Sequence, residues 1–188
     1  NRENANDARI GVPVSELDTP ALLLDIDALD ANLSRMATHI RATGKQIRPH
    51  AKTHKCSIIA RRQYAAGGCI GISAATIGEA EKLIEAGLHD VLITSPVVTT
   101  RKIERLMQCL DTSSQIKVVV DNVINIRALN DACRESDKKL DVLIDIDPGM
   151  GRTGAQPQNA RSLADGIESG SNLRLRGVQC YAGKVQHI

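Results

Sequence analysis

Strand-length apolar runs alternate with longer segments of helical period along most of this chain, and that alternation restricts its fold more than any other feature. Seven runs read as strands: 21–27 (ALLLDID), 46–52 (QIRPHAK), 69–73 (CIGIS), 90–95 (DVLITS), 116–121 (IKVVVD), 141–147 (DVLIDID) and 175–181 (LRGVQCY). The middle runs are nearly continuous in Val, Ile and Leu, as strands covered on both faces require. Between them, segments such as 28–44, 76–89 and 100–110 repeat apolar residues three and four apart, and often stop at Gly. Strands and helices in alternation predict a mainly parallel sheet. The regular period favours a (β/α) barrel over a doubly wound sheet without deciding between them. Residues 1–18 are polar and aperiodic and read as an arm.

Composition narrows the function classes. The net charge of +2 comes from interspersed signs, so no basic stripe is available to neutralise phosphates, and two Tyr with no Trp or Phe leave no stacking platform. Nucleic acid is therefore not an expected partner. Cys56, Cys69, Cys109, Cys133 and Cys180 are odd in number and nowhere spaced as CxxC, and they read as small, reduced core residues. No apolar run approaches a membrane span, and the start lacks a signal-peptide core, so a cytoplasmic protein is expected.

In either parallel architecture ligands gather at the carboxyl ends of the strands. The run 46–52 ends with Arg48, His50 and Lys52, which period-two alternation would place on one face. Asp121 and Asn122 follow the fifth run, Asp145 and Asp147 end the sixth, and Gln179 and Tyr181 end the last. A lysine at the end of a buried strand, near His50, His54 and Lys55, suits Schiff-base chemistry, because desolvation and neighbouring cations favour a neutral amine. The alternative is a lysine that simply emerges into solvent. Gly149–Gly154 (GMGRTG) formally matches a dinucleotide fingerprint, but it comes late in the chain and Gln156-Pro157 intervenes before any helix, so it reads as a tight turn that could aim Arg152. His50 and His54 are spaced like helical metal ligands, yet His50 lies in a strand-like run, which argues against a shared metal.

The string RPHAKTHKC (48–56) resembles the cofactor-lysine motif of the D-threonine aldolase and D-serine dehydratase family, one of the alanine-racemase-like, fold-type III pyridoxal-phosphate enzymes. TPALLLDIDALDANLSRM (19–36), GEAEKLIEAGLHDVLIT (78–94), DIDPGMGRTG (145–154) and GVQCYAGKVQHI (177–188) extend the resemblance in order from about Thr19 to the end. It implies a partial (β/α)8 TIM-type barrel of the alanine racemase N-terminal type over 29–188, incomplete at its C-terminal end. The strand within 19–28 would belong to a β-domain that lies mainly outside this chain.

It also implies that Lys52 holds pyridoxal 5'-phosphate, that His50 and Arg152 adjoin the cofactor, that Tyr181 lies against it, and that His187 stands near the substrate's β-hydroxyl. A divalent metal (Mn, Mg or Zn) would be bound by residues outside this chain, and a homodimer acting on a small D-amino acid is expected. The YAGKVQH segment resembles the aldolase branch, whose products are glycine and an aldehyde. A dehydratase yielding a keto acid and ammonia, a racemase, and a non-catalytic pyridoxal-phosphate homeostasis protein are the alternatives.

Overall fold

The computed structural model describes residues 11–113 and 115–187, with only the backbone given for Gln186 and His187. Helices α1 (Ile26–Thr43), α2 (Ser57–Ala65), α3 (Ile77–Glu85), α4 (Thr100–Thr112), α5 (Val123–Glu135) and α6 (Ala160–Glu168) are interleaved with strands β1 (Ile72–Ala74), β2 (Val91–Ile93), β3 (Lys117–Val120), β4 (Leu140–Ile146) and β5 (Leu173–Cys180). The five strands are all parallel and stand in the order β1-β2-β3-β4-β5. A doubly wound sheet would reverse direction at a switch point, whereas unbroken sequential order is the arrangement of a (β/α) barrel wall. The structure thus resolves what the sequence period left open.

Side chains alternate across this wall. Ile72, Ala74, Val91, Ile93, Val118, Val120, Leu140, Val142, Ile144 and Leu173 join a buried cluster with helix residues that include Leu83, Ile103, Leu106, Ile126, Leu129, Leu163 and Ile167. Each fully buried side chain of this size contributes about 1.5–3 kcal/mol. Helix ends follow local chemistry: Asp25 and Thr76 accept hydrogen bonds from the amides three residues on, Asn122 from the amide two residues on, and Gly44 closes α1 in a left-handed conformation.

The opposite side chains line the barrel interior, and its lower layer is ionic. Asp90 takes Arg48 at 2.7 Å and Lys117 at 2.9 Å, while Asp141 takes Arg174 at 2.6 Å and Arg176 at 3.5 Å. Between Leu175 and Gly177 the pairing of β5 with β4 slips by one residue, since Val142 opposes Leu175 but Leu143 opposes Gly177. This bulge moves the inward set from Arg174 and Arg176 to Gly177, Gln179 and Tyr181.

Three expectations require correction. No strand forms over 21–27: Leu22, Leu23 and Leu24 are exposed without regular structure, and Asp25 caps a helix that already includes Ile26 and Asp27. The run 46–52 is not a continuous strand either. It touches the sheet only as parallel bridges, Ile47 to Cys69 and His50 to Ser73, and then coils into a 3-10 turn at Ala51–Thr53. Finally, all five cysteines are free, but only Cys109 and Cys133 are core residues, their thiols pushed up to about 11 chiefly by burial, while Cys180 is exposed. Of the polar arm read over 1–18, residues 1–10 lie outside the described residues, and 11–18 are largely exposed around a short turn at Val14–Glu16.

Candidate active site

The upper interior layer, at the carboxyl ends of the strands, is polar, and a chain of hydrogen bonds runs through it. His50 Nε2 lies 3.0 Å from Thr94 Oγ1, and that hydroxyl donates to the carbonyl of Ala74 at 3.1 Å. Gln179 spans the next gap, its amide nitrogen donating to Thr94 O at 3.2 Å and to Asp145 Oδ1 at 3.0 Å. Asp145 is 1% exposed. Burial raises its carboxyl above the usual range, and hydrogen bonds from Gln179 and Thr153 oppose the rise; Asp121 adds to it and the Arg152 charge works against it.

A loop after β4 is built to present Arg152. The Asp147 carboxylate accepts the amides of Gly149 (3.0 Å), Met150 (2.6 Å) and Gly151 (3.0 Å), and the Asp121 carboxylate accepts that of Gly154 (3.0 Å). Gly154 adopts φ +109°, and a Cβ there would stand 2.6 Å from the Asp147 amide nitrogen, so the loop folds back on β4 only with Gly at this place. Helix α6 begins six residues later, at Ala160, behind a 3-10 turn at Pro157–Asn159. The glycines therefore do not open a helix onto a phosphate, in keeping with the rejection of a dinucleotide site.

Arg152, Tyr181 and Lys52 converge at the mouth. The Arg152 guanidinium carbon lies 4.3 Å from the centre of the Tyr181 ring, and Lys52 Nζ lies 5.9 Å from it. Gly183 leaves the room the ring needs, because a Cβ there would come within 2.7 Å of the Tyr181 hydroxyl. Lys52 sits on the 3-10 turn and is exposed, so it does not share a strand face with Arg48 and His50, and the desolvation expected for it is not seen. Arg48 belongs to the ionic layer at the far end. His50 and His54 take different partners: His54 Nε2 bonds Gln63 Oε1 on α2 at 3.0 Å, whereas His50 Nε2 faces Thr94. The His187 side chain lies outside the described residues. Thr94 and Asp147 were given no role from the sequence, although Thr94 shares the inward parity of Asp90 and ends a strand.

The pyridoxal phosphate implied by the sequence resemblance has an aldehyde and an aromatic ring bearing a phenolic oxygen. An amine, an aromatic face and a guanidinium, all facing the barrel mouth, fit that end of the group. Among the described residues no cluster of three or more His, Cys, Asp or Glu could hold a metal ion, and no helix is long and apolar enough to cross a membrane. A cavity of about 800 Å³ between α2 and α3, lined by residues such as Lys55, Cys56 and Glu79, includes none of Lys52, Arg152 and Tyr181.

Comparison with known proteins identifies the fold and the family of the chain. The chain is 35% identical over 179 residues to a 3-hydroxy-D-aspartate aldolase of Paracoccus denitrificans, covering 95% of this chain and 46% of that protein. It is 36% identical to a D-threonine aldolase of an Arthrobacter species, covering 96% and 47%. The crystal structure of D-threonine aldolase from Filomicrobium marinum superposes with a TM-score of 0.88 at 38% identity, over 93% of this chain and 47% of that one. The D-threo-3-hydroxyaspartate dehydratase of Delftia sp. HT23 gives 0.78 at 32%, over 92% and 46%. The chain thus spans about half the length of the curated relatives it matches. Residues 24–187 match the family described as alanine racemase, N-terminal domain, and the chain belongs to that family.

Proposed function

We propose that this chain is the cofactor-bearing barrel of a pyridoxal-phosphate-dependent lyase acting on D-β-hydroxy amino acids, with carbon–carbon cleavage to glycine and an aldehyde as its reaction. The observation that carries the proposal is the grouping of Lys52 and Arg152 around the Tyr181 ring at the barrel mouth. The higher identity to the aldolases than to the dehydratases, and the higher TM-score of the aldolase structure, favour cleavage over dehydration.

In this reading Lys52 supplies the amine that anchors the cofactor, Tyr181 packs on its ring, and Arg152 approaches the phenolic oxygen. Asp147 fixes the loop that aims Arg152, while His50 lies beneath the lysine turn. When bound, the cofactor supplies an electron sink for the pair released at the substrate's Cα. A group near the substrate hydroxyl, His187 or a base outside this chain, takes the hydroxyl proton as the Cα–Cβ bond breaks, and Cα then takes up a proton to give glycine. A divalent metal (Mn, Mg or Zn) held outside this chain would assist at that hydroxyl. Further elements of the reading are a cytoplasmic homodimer and the pairing of Leu22–Leu24, exposed here, with a second, β-rich domain.

The test uses the full-length protein with pyridoxal phosphate, Mn²⁺ and D-threonine. Glycine and acetaldehyde are expected, and a borohydride-reduced cofactor adduct should map to Lys52. A keto acid with ammonia would make it the dehydratase instead, and an adduct that persists in Lys52→Ala would overturn the lysine's role.

A further inference from the structure

The two nitrogens of His50 have unlike partners. Nδ1 accepts the backbone N–H of Lys52 at 3.3 Å, which caps the Ala51–Thr53 turn, while Nε2 faces Thr94 Oγ1 at 3.0 Å. The Thr94 hydroxyl has already directed its hydrogen to Ala74 O, so toward His50 it can only accept. These contacts are mutually consistent with one proton on Nε2 and none on Nδ1. The same Thr94 receives Gln179 at its carbonyl, and Gln179 bonds Asp145, so one residue links the lysine turn to the strand leading into the Arg152 loop.

Resting on the reading of Lys52 given above, we propose that His50 is a positioning residue, an uncharged imidazole with its proton on Nε2 that pins the Lys52 turn to the barrel wall and so sets where the lysine amine stands.

The surroundings keep the ring in that form. Burial lowers its basicity, the Lys52 charge lowers it further, and Glu79 on α3 opposes both. A cavity of about 420 Å³ whose lining includes His50 also includes Thr53, His54 and Cys69, and adds no carboxylate. A second proton on Nδ1 would point at the Lys52 N–H and replace an attraction by a repulsion.

Substitutions can separate the two contacts. Asn places its amide oxygen near the Nδ1 position and can cap Lys52 without reaching Thr94, whereas Gln places its amide nitrogen near Nε2 and loses the cap. In the full-length protein, ¹⁵N NMR should show a pyridine-type Nδ1 and a protonated Nε2 for His50. Reductive trapping of pyridoxal phosphate on Lys52 should run within about twofold of wild type in His50→Asn, and be slowed about fivefold or more in His50→Gln and His50→Leu. Thr94→Val removes the Nε2 partner but keeps the cap, so Nδ1 should remain unprotonated and pyridine-type in the NMR spectrum.

A proton found on Nδ1, or equal trapping rates in the Asn and Gln variants of comparable thermal stability, would overturn the proposal. Should the wild-type protein trap no cofactor at Lys52, the reading of that lysine fails instead. Hydrogen exchange at the Lys52 amide, protected in His50→Asn and exposed in His50→Gln, then decides the role of His50 by itself.

Discussion

Replacing Gly154 by Ala should disable the Arg152 loop, and Gly151→Ala supplies its control. At Gly154 the backbone has φ +109°, and the added Cβ would meet Asp147 N at 2.6 Å and Ile146 C at 2.8 Å, both backbone atoms that cannot swing aside. Left-handed strain costs roughly 1–3 kcal/mol. Relieving the clash means lifting the loop from β4, which puts at risk the Asp147 N to Ala155 O bond (2.9 Å), the Ala155 N to Asp145 O bond (2.8 Å) and the Gly154 N to Asp121 bond (3.0 Å). At about 1 kcal/mol each, the loss of two brings the total to about 3–5 kcal/mol. Gly151 has φ +66° with nothing within 4 Å of its Cβ, so only the conformational term remains, about 1 kcal/mol. Urea unfolding at constant m-value measures both. Trapping of pyridoxal phosphate on Lys52 should be weakened in Gly154→Ala well beyond Gly151→Ala, because the former moves Arg152. Equal destabilisation of the two variants would refute the argument that close backbone contact, rather than φ alone, requires Gly154.

Asp145→Asn should stabilise the protein near neutral pH while impairing cofactor binding. With its folded pKa raised above the unfolded value, Asp145 lowers stability as pH climbs from the unfolded pKa of 3.8 through the folded one, so the variant's advantage in a melting series should grow over that window and then level off. His50 acts in the opposite pH direction: its lowered basicity implies stability present above about 6.5 and lost as pH falls toward the folded pKa, a dependence that His50→Asn should flatten. Tyr181→Leu removes the ring between Arg152 and Lys52 and should weaken cofactor retention in gel filtration about fivefold or more, at about 1 kcal/mol for a cation–ring contact. Gly71→Ala should destabilise by several kcal/mol in urea, on the order expected for a severe core clash, since its Cβ would fall 1.9 Å from an Arg48 nitrogen and 2.5 Å from Asp90 O.

Strands β2, β3 and β4 were legible because their runs of Val, Ile and Leu, buried on the helix side, leave a strong signal. Leu22–Leu24 look the same on paper. Their exposure here shows that an apolar run names a burial requirement without naming what meets it, and Asp25 starts a helix where alternation suggested a strand. Period two also failed at Lys52, because the chain leaves the strand at Ala51 for a 3-10 turn that the His50 imidazole caps. Gln179 and Tyr181 were correctly placed together, but the bulge that turns them inward arises from the register against β4 and has no mark in the sequence beyond Gly177. Lys52, Arg152 and Tyr181 were singled out chiefly by resemblance, and the fold brings them to one mouth. Thr94 escaped notice because its importance lies in which partners it joins, and partners are set by sheet order.

The ionic layer at the base of the barrel has a consequence for how the strands find their register. Arg48, Asp90, Lys117, Asp141, Arg174 and Arg176 come from five separate stretches of chain, and each carboxylate is held by two cations. Sliding β2, β3, β4 or β5 by a single residue would thrust its charge among the leucines and isoleucines of the helix side and strand the partner it left behind, an error costing several kcal/mol. A wall of interchangeable valines and isoleucines can pair in many ways; charges that find their partners in a single alignment proofread the assembly from below.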